Sequence, residues 1–331
     1  MNLQHTPLQN FKQALSDLCP ERVEQHPPQL TDQLVINWHI TEACNYACKY
    51  CYAHWKESGN RRDIIRDEEK TLKLLREVSR FFDPGNNSNP LRKRMRWNSV
   101  RLNIAGGEPL FYASRVQQIT HQARLLGMSV SLISNGSRLD SALMRSIAPA
   151  ISLLGLSIDA TSSEINNEIG RVERRGRQLS VVALCSVIAE GRKINPDMRV
   201  KINTVVNAAN HHEDMSRVIQ MIQPERWKVL RMLPVLNSDL TVTQKEFDAF
   251  VRRHRGLGLN MRVEDNNAMT ESYIMIDPVG RFFQNSEYDL QGYRYSPSIL
   301  ESGIDTAFSE MQVSSDKFSA RYENNVDGVV L

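Results

Sequence analysis

Cysteine is scarce in this 331-residue chain: five residues, at positions 19, 44, 48, 51 and 185, and none beyond Cys185. So small and odd a number argues against a disulfide framework, and the first residues, Met1 to Pro7, carry no charged stretch leading into an apolar one. A reducing, cytoplasmic setting is therefore expected. Long hydrophobic runs are missing as well. Nothing approaches the roughly eighteen consecutive apolar residues of a membrane span, and residues 1–31 mix Pro, Gln and His without an apolar stripe, so no membrane partner is expected. Charge of one sign is also lacking, since 41 Lys and Arg against 38 Asp and Glu leave a formal net charge of +3. That is too little to hold a nucleic-acid polymer, though basic residues gathered in one cavity would still bind phosphates. The remaining composition, 41% hydrophobic and 24% charged, is that of one large α/β domain with or without extensions.

Three of the five cysteines fall within eight residues, Cys44-Asn45-Tyr46-Ala47-Cys48-Lys49-Tyr50-Cys51, spaced C-x3-C-x2-C after the apolar run Leu34 to Ile40. Three thiolates can converge on one inorganic centre but cannot fill the four positions of a closed structural zinc site. A [4Fe–4S] cluster held by three Cys, its fourth iron left for another ligand, satisfies that count. A zinc site completed from a distance, for instance by His54, is the alternative the spacing leaves open. The aromatic Tyr52 follows the last thiol. Cys19 lies in a polar stretch, and Cys185 follows Val181-Val182-Ala183-Leu184, where a small buried hydrophobe is expected.

Around that loop the chain alternates strand-like and helix-like segments. Residues 1–31 read as a short helix around Phe11–Leu18 and a Pro-rich connector, with a packing role only. Strands are expected at Gln33–Ile40, Ser99–Ala105, Ser129–Ser134, Leu153–Ile158, Met198–Val206 and Trp227–Leu233. Helices are expected at 67–82, capped by Asp67 and packed through Leu72, Leu75, Val78 and Phe82, and at 113–126, 139–148, 174–191 and 211–222. A flexible break is expected at Asp83 to Pro90. Strands joined by crossover helices make a parallel sheet with helices outside, and reactive groups then gather at the strands' C-terminal ends. No repeat of fixed period accompanies the alternation.

The motifs fall at those ends. Gly106-Gly107-Glu108-Pro109 closes the second strand, with glycines that let the backbone approach a ligand and a carboxylate able to accept from an ammonium group. Ser134-Asn135-Gly136 and Ser157-Ile158-Asp159 close the next two, and Ile169-Gly170-Arg171 supplies an Arg suited to bidentate recognition of a carboxylate. Lys201 and Asn203 share one face of a strand, as do Arg226 and Lys228 on the next. Four such groups turned into one interior are costly unless an anion enters.

The Cys loop, the aromatic after it and the Gly-Gly-Glu-Pro strand end resemble the radical SAM enzymes. His39-Ile40-Thr41, Lys201 to Asn207, Glu213-Asp214-Met215, Pro224 to Val229 and Glu271 to Asp277 narrow the resemblance to the viperin family and its prokaryotic relatives, over about residues 33 to 305. The resemblance implies a partial (β/α)6 radical SAM barrel at 33–235, an N-terminal extension at 1–32, and a C-terminal extension at 236–331 that closes over a nucleotide. It implies a [4Fe–4S] cluster on Cys44, Cys48 and Cys51, and S-adenosyl-L-methionine held by Gly106, Gly107, Glu108, Ser134, Asn135, Ser157, Asp159 and Arg171. The substrate it implies is a ribonucleoside triphosphate (CTP, UTP or GTP), converted to its 3′-deoxy-3′,4′-didehydro form, a chain terminator in anti-phage defence. Lys201, Asn203, Arg226 and Lys228 would hold the triphosphate, with Arg101, Asn37 and Arg281 as further contacts and Tyr273 as the proton donor. A monomer served by an electron donor such as flavodoxin or ferredoxin completes the expectation. A radical SAM enzyme acting on a peptide, and a metal- or nucleotide-binding module without catalysis, are the alternatives. The first is disfavoured because no Cys follows Cys185 for a second cluster, the second because it leaves Gly106-Gly107-Glu108 without a purpose.

Departures from the family pattern are equally specific. The amphipathic helix of animal viperins is missing, the C-terminus Asn325 to Leu331 lacks their aromatic tail, and Gln284–Ser298 has only Arg294 as a basic residue.

Overall fold

A computed structural model describes residues 28–53, 62–234, 238–285 and 292–322. The expected helix at Phe11–Leu18, Cys19, His54 and the C-terminal stretch from Asn325 lie outside them. Strands β1 (Gln29–His39), β2 (Met95–Ala105), β3 (Ser129–Ser134), β4 (Leu153–Ser157), β5 (Arg199–Val206) and β6 (Arg226–Arg231) pair in parallel, each with the next. Between them run α1 (Glu68–Phe81), α2 (Ala113–Leu125), α3 (Ser141–Ile147), α4 (Ser163–Glu168), α5 (Val181–Ile194) and α6 (Ser216–Ile222). The six expected strands are thus present, the first two longer at their N-terminal ends than pattern alone indicates.

The later chain extends the sheet at both edges. After α7 (Gln244–His254), β7 (Met261–Glu264) pairs in parallel with β6; after α8 (Asn266–Met269), β8 (Ile274–Ile276) crosses to the opposite edge and pairs in parallel with β1. Antiparallel β9 (Arg281–Gln284) and β10 (Arg294–Ser298) follow, then α9 (Ile299–Ser302), α10 (Ile304–Ser309) and α11 (Ser315–Tyr322). The ten-stranded order is β10-β9-β8-β1-β2-β3-β4-β5-β6-β7, an open, partial barrel.

Side-chain parity separates its two faces. Leu34, Ile36 and Trp38 of β1, Leu102 and Ile104 of β2, Val200 and Ile202 of β5, and Trp227 and Val229 of β6 are buried in one core beneath the helices. Their neighbours, Val35, Asn37 and His39, Arg101 and Asn103, Lys201 and Asn203, and Arg226 and Lys228, face a single cavity. A period of two thus puts hydrophobes under the helices and chemistry inside. Helix α1 shows the outer packing. Asp67 caps it by accepting from Lys70 N at 3.0 Å, and it buries Thr71, Leu74, Leu75, Val78 and Phe81, while Leu72 is half-buried. Each large apolar side chain contributes on the order of 1.5–3 kcal/mol of transfer free energy.

The break expected at Asp83 to Pro90 is a tied turn. Asn86 Nδ2 and Asn89 Nδ2 both donate to Phe81 O at 2.8 Å, Trp97 Nε1 donates to Phe82 O at 2.8 Å, and Asn89 is buried. Two of the carbonyls that a helix end leaves unsatisfied are thereby paired, which polar composition alone does not reveal.

Candidate active site

The Cys loop is pinned from two sides by backbone. On one, Ile40 N donates to Ala105 O (2.8 Å), Gly107 N to Thr41 O (2.7 Å) and Glu108 N to Ala43 O (2.8 Å). On the other, Ala47 N donates to Gly170 O and Lys49 N to Ile169 O, both at 3.1 Å. A Cβ on Gly107 would overlap Glu42 O and Ala43 O; one on Gly170, whose φ is +80°, would overlap Ala47 O. These glycines let two neighbouring turns lie directly on the thiol loop. Cys44, Cys48 and Cys51 line the cavity together.

Gly106, Gly107, Ser134 and Asn135 line it beside them. Glu108 does not. It is fully buried, and its carboxylate accepts from Leu110 N (3.0 Å), Ser134 Oγ (2.8 Å) and Asn135 N (2.7 Å). The expected ammonium acceptor is therefore turned inward, tying the end of β2 to the end of β3. Asn135 Nδ2 reaches Asn45 Oδ1 at 3.0 Å and Cys44 Sγ at 3.8 Å.

Ser157, Asp159 and Arg171 reach the cavity as one assembly. Arg171 is buried and meets Asp159 at 2.8 Å; it also donates to Ser157 O, and its guanidinium stands 5.5 Å from the Tyr46 ring. Asp159 accepts from the Tyr50 hydroxyl and, at 2.6 Å, from Val205 N. The carboxylate that Arg171 clamps in this structure is Asp159, the nearest anion in a buried setting.

The opposite wall is cationic. Lys201, Arg101, Arg226 and Lys228 line the cavity with Asn203, whose Oδ1 is buried without a hydrogen-bond partner among the described residues. Desolvation, then Lys228 and Arg101, hold the Lys201 amine well below the usual lysine range. Among the described residues, seven Arg and Lys side chains line the cavity against one lining carboxylate, Asp159. Asn37 is spent on structure: it donates to Ile274 O (3.2 Å) and accepts from Asn103 Nδ2 (2.8 Å), which continues to Ser131. Arg281 is not a lining residue. Its Nε meets Asp277 at 2.7 Å and its guanidinium covers the Tyr295 ring at 4.2 Å, beyond the end of β8.

Tyr273 lines the cavity just before β8 and joins a network that spacing does not reveal. Its hydroxyl donates to Glu264 Oε2 at 2.5 Å and accepts from Lys228 Nζ at 3.1 Å. Glu264, at the end of β7, also meets Lys228 Nζ at 2.5 Å and Arg321 Nε at 3.0 Å. Burial raises its pKa, but Lys228 and then Arg321 outweigh that and hold the carboxylate down to about 2.

A sequence family described as the Radical SAM superfamily matches residues 38–189. The S-adenosylmethionine-dependent nucleotide dehydratase of Pseudoalteromonas ulvae is 39% identical over 292 residues, covering 88% of this chain and 94% of that one. Its namesake from Psychrobacter lutiphocae is 37% identical over 302 residues, covering 91% and 98%. The chain belongs to the S-adenosylmethionine-dependent nucleotide dehydratases. Its fold matches that of the radical SAM enzyme anSMEcpe with bound AdoMet and Kp18Cys peptide, with a TM-score of 0.60 at 14% identity over 87% of this chain and 83% of that one. At that identity the likeness carries the fold alone.

Radical SAM membership brings a [4Fe–4S] cluster and S-adenosylmethionine to this dehydratase, and its residues fit both. Cys44, Cys48 and Cys51 border one cavity. Three thiols at one site suit a polynuclear centre that keeps one iron open to another ligand. Burial pushes all three thiols up, Cys48 to about 12; iron would hold them as thiolates. Gly106, Gly107, Ser134, Asn135 and Ser157 line the cavity beside the three thiols, and a cluster held by those thiols would supply one electron to the sulfonium of S-adenosylmethionine bound against that wall. His39 also lines the cavity, and burial lowers its pKa to about 3, so it stays neutral. Glu264, Arg321 and Asn103 are the residues the sequence concealed. An acid closing a strand was the one available signal for Glu264; Arg321, on α11, had none.

Proposed function

We propose that this dehydratase converts a ribonucleoside triphosphate (CTP, UTP or GTP) into its 3′-deoxy-3′,4′-didehydro analogue by C4′ hydrogen abstraction and loss of the 3′-hydroxyl as water. The observation that carries it is the wall of Arg101, Lys201, Arg226 and Lys228 facing the same cavity as the three thiols. A cation wall that depresses its own lysine calls for a polyanion, and a triphosphate fits its charge. Held there, the ribose lies between the phosphate site and the cluster wall, and orientation supplies the selectivity. Tyr273 is the residue from which the leaving hydroxyl takes its proton. The nucleotide named by the relatives supports this reading over a peptide substrate.

The extension at 236–331 closes over the nucleotide, a role supported by the cavity residues it supplies, Met269, Tyr273, Asn285, Tyr293 and Arg321. The product terminates chains made by phage polymerases. The enzyme works as a cytoplasmic monomer, reduced by a flavodoxin or ferredoxin. Among the described residues no helix is long and apolar enough to cross a membrane.

Anaerobic reconstitution followed by a screen of the four common triphosphates tests the reading. A brown chromophore near ~400 nm, nucleotide-stimulated 5′-deoxyadenosine release and a product lighter by one water are expected. Stoichiometric zinc, or no cleavage with any triphosphate, overturns it.

A further inference from the structure

Four side chains from four elements meet on the cationic side of the cavity. Lys228 comes from β6, Glu264 from the end of β7, Tyr273 from the approach to β8 and Arg321 from α11. Glu264 is the hub, with Lys228 Nζ at 2.5 Å and Arg321 Nε at 3.0 Å on one oxygen and the Tyr273 hydroxyl at 2.5 Å on the other. Arg321 is itself fixed: it donates to Ser272 O, to Ser272 Oγ at 2.7 Å and to Ala268 O at 2.7 Å, and its guanidinium lies 3.6 Å from the centre of the Tyr273 ring. All three charged members are buried.

Such a network is expensive to assemble unless every member is satisfied, and its geometry is directional. The one phenolic proton of Tyr273 points at Glu264, and Lys228 Nζ donates to the same phenolic oxygen at 3.1 Å. Of the four, only the ammonium carries protons to spare. We propose that Glu264 and Arg321 are positioning residues for the dehydration, holding Lys228 as the proton store behind Tyr273. The inference rests on the reading above. As the C3′–O bond of the C4′ radical breaks with its electron pair going to oxygen, the Tyr273 hydroxyl turns from Glu264 and gives that oxygen its proton, and one electron from the flavodoxin or ferredoxin reduces the remaining radical cation to the C3′=C4′ double bond. The phenolic oxygen takes a proton from Lys228 Nζ, water leaves, and the neutral amine regains a proton from solvent after release. Glu264 keeps its negative charge throughout, which holds the amine charged beforehand and the phenolic oxygen within reach of that amine. Arg321 keeps Glu264 ionised.

The groups facing Lys228 are Glu264 and Tyr273 in contact, with Arg321, Arg226 and Lys201 close by. Burial is the largest influence on its amine, which sits at about 8 with Glu264 holding it up and Arg321 and Arg226 pulling it down. Removing Glu264 therefore lowers it further.

The test uses the full chain with Glu264→Gln and Glu264→Asp. In the cluster-free protein, carbon NMR of labelled lysine should show Lys228 titrating near pH 8, and at least about one unit lower in Glu264→Gln. In the reconstituted enzyme, Glu264→Gln should keep the chromophore but, at saturating triphosphate, lose about tenfold or more of product formed per deoxyadenosine released. Its alkaline limb should move down with the amine. Glu264→Asp, with the same charge one methylene shorter, should restore the limb and only part of the yield. Unchanged coupling and an unchanged limb in Glu264→Gln overturn the proposal. If that variant does not fold, full product yield in Glu264→Asp overturns it instead. If the wild type makes product from no triphosphate, the functional reading fails, and the lysine titration still decides whether Glu264 governs Lys228.

Discussion

At the scale of single residues, this enzyme depends on positions where a side chain must be absent as well as present. Gly170 adopts φ +80° with Ala47 O against it, so Gly170→Ala forces the Cys loop away. Backbone strain there costs on the order of 1–3 kcal/mol. The expected result is loss of more than about half of the iron bound on reconstitution, read from iron content and absorbance, with the far-ultraviolet spectrum retained. Glu264 yields a prediction from its charge. Its folded pKa of about 2 lies below the ordinary value of 4.5. The stability it contributes is thus fully present above about pH 4.5 and lost as pH falls toward 2, on the order of 3 kcal/mol in all. Denaturant titrations of wild type and Glu264→Gln should differ at pH 6 and converge toward pH 2.

At the scale of elements, β5 and β6 turn their cations and Asn203 into the cavity by alternation alone. Lys201 and Asn203 fall on the cavity side because Val200 and Ile202 fall under the helices, and Arg226 and Lys228 do so because Trp227 and Val229 do. The cost is visible in Lys201, whose amine is held well below its usual range by burial and like charges. Its folded pKa is depressed, so the charge opposes folding at neutral pH. Lys201→Met should therefore raise the melting temperature while raising the triphosphate KM about ten- to a hundredfold, the worth of one charge-assisted hydrogen bond. A melting curve and a steady-state assay on the same preparation check both signs. Motifs at strand ends were legible for the same reason: period two and crossover order place them. That Glu108 turns away from the cavity was not legible, because which way a carboxylate turns depends on donors at another strand's end, Ser134 and Asn135.

At the scale of the whole molecule, the chain's last third builds both edges of the sheet and one side of the cavity. Helix α11 does two jobs, since Phe318 is fully buried in the main core and Arg321 reaches Glu264. Phe318→Ala should lower stability by about 3–5 kcal/mol and, below its melting temperature, lower product yield by loosening Arg321, while Cys-bound iron is unaffected. Calorimetry with an iron assay separates the two effects.

The sequence alone determined the thiol loop, the alternation of strands and helices, and which residues of each strand share a face, because these are local periodicities and spacings. Tertiary structure decided the rest: that β8 returns beside β1, that Arg171 meets Asp159 and Arg281 meets Asp277, and that Glu264, Tyr273, Lys228 and Arg321 converge. Ion pairs between distant residues leave no periodic trace. In a buried cavity each charge takes whatever partner the fold brings within reach, and only the crossing of elements fixes which one that is.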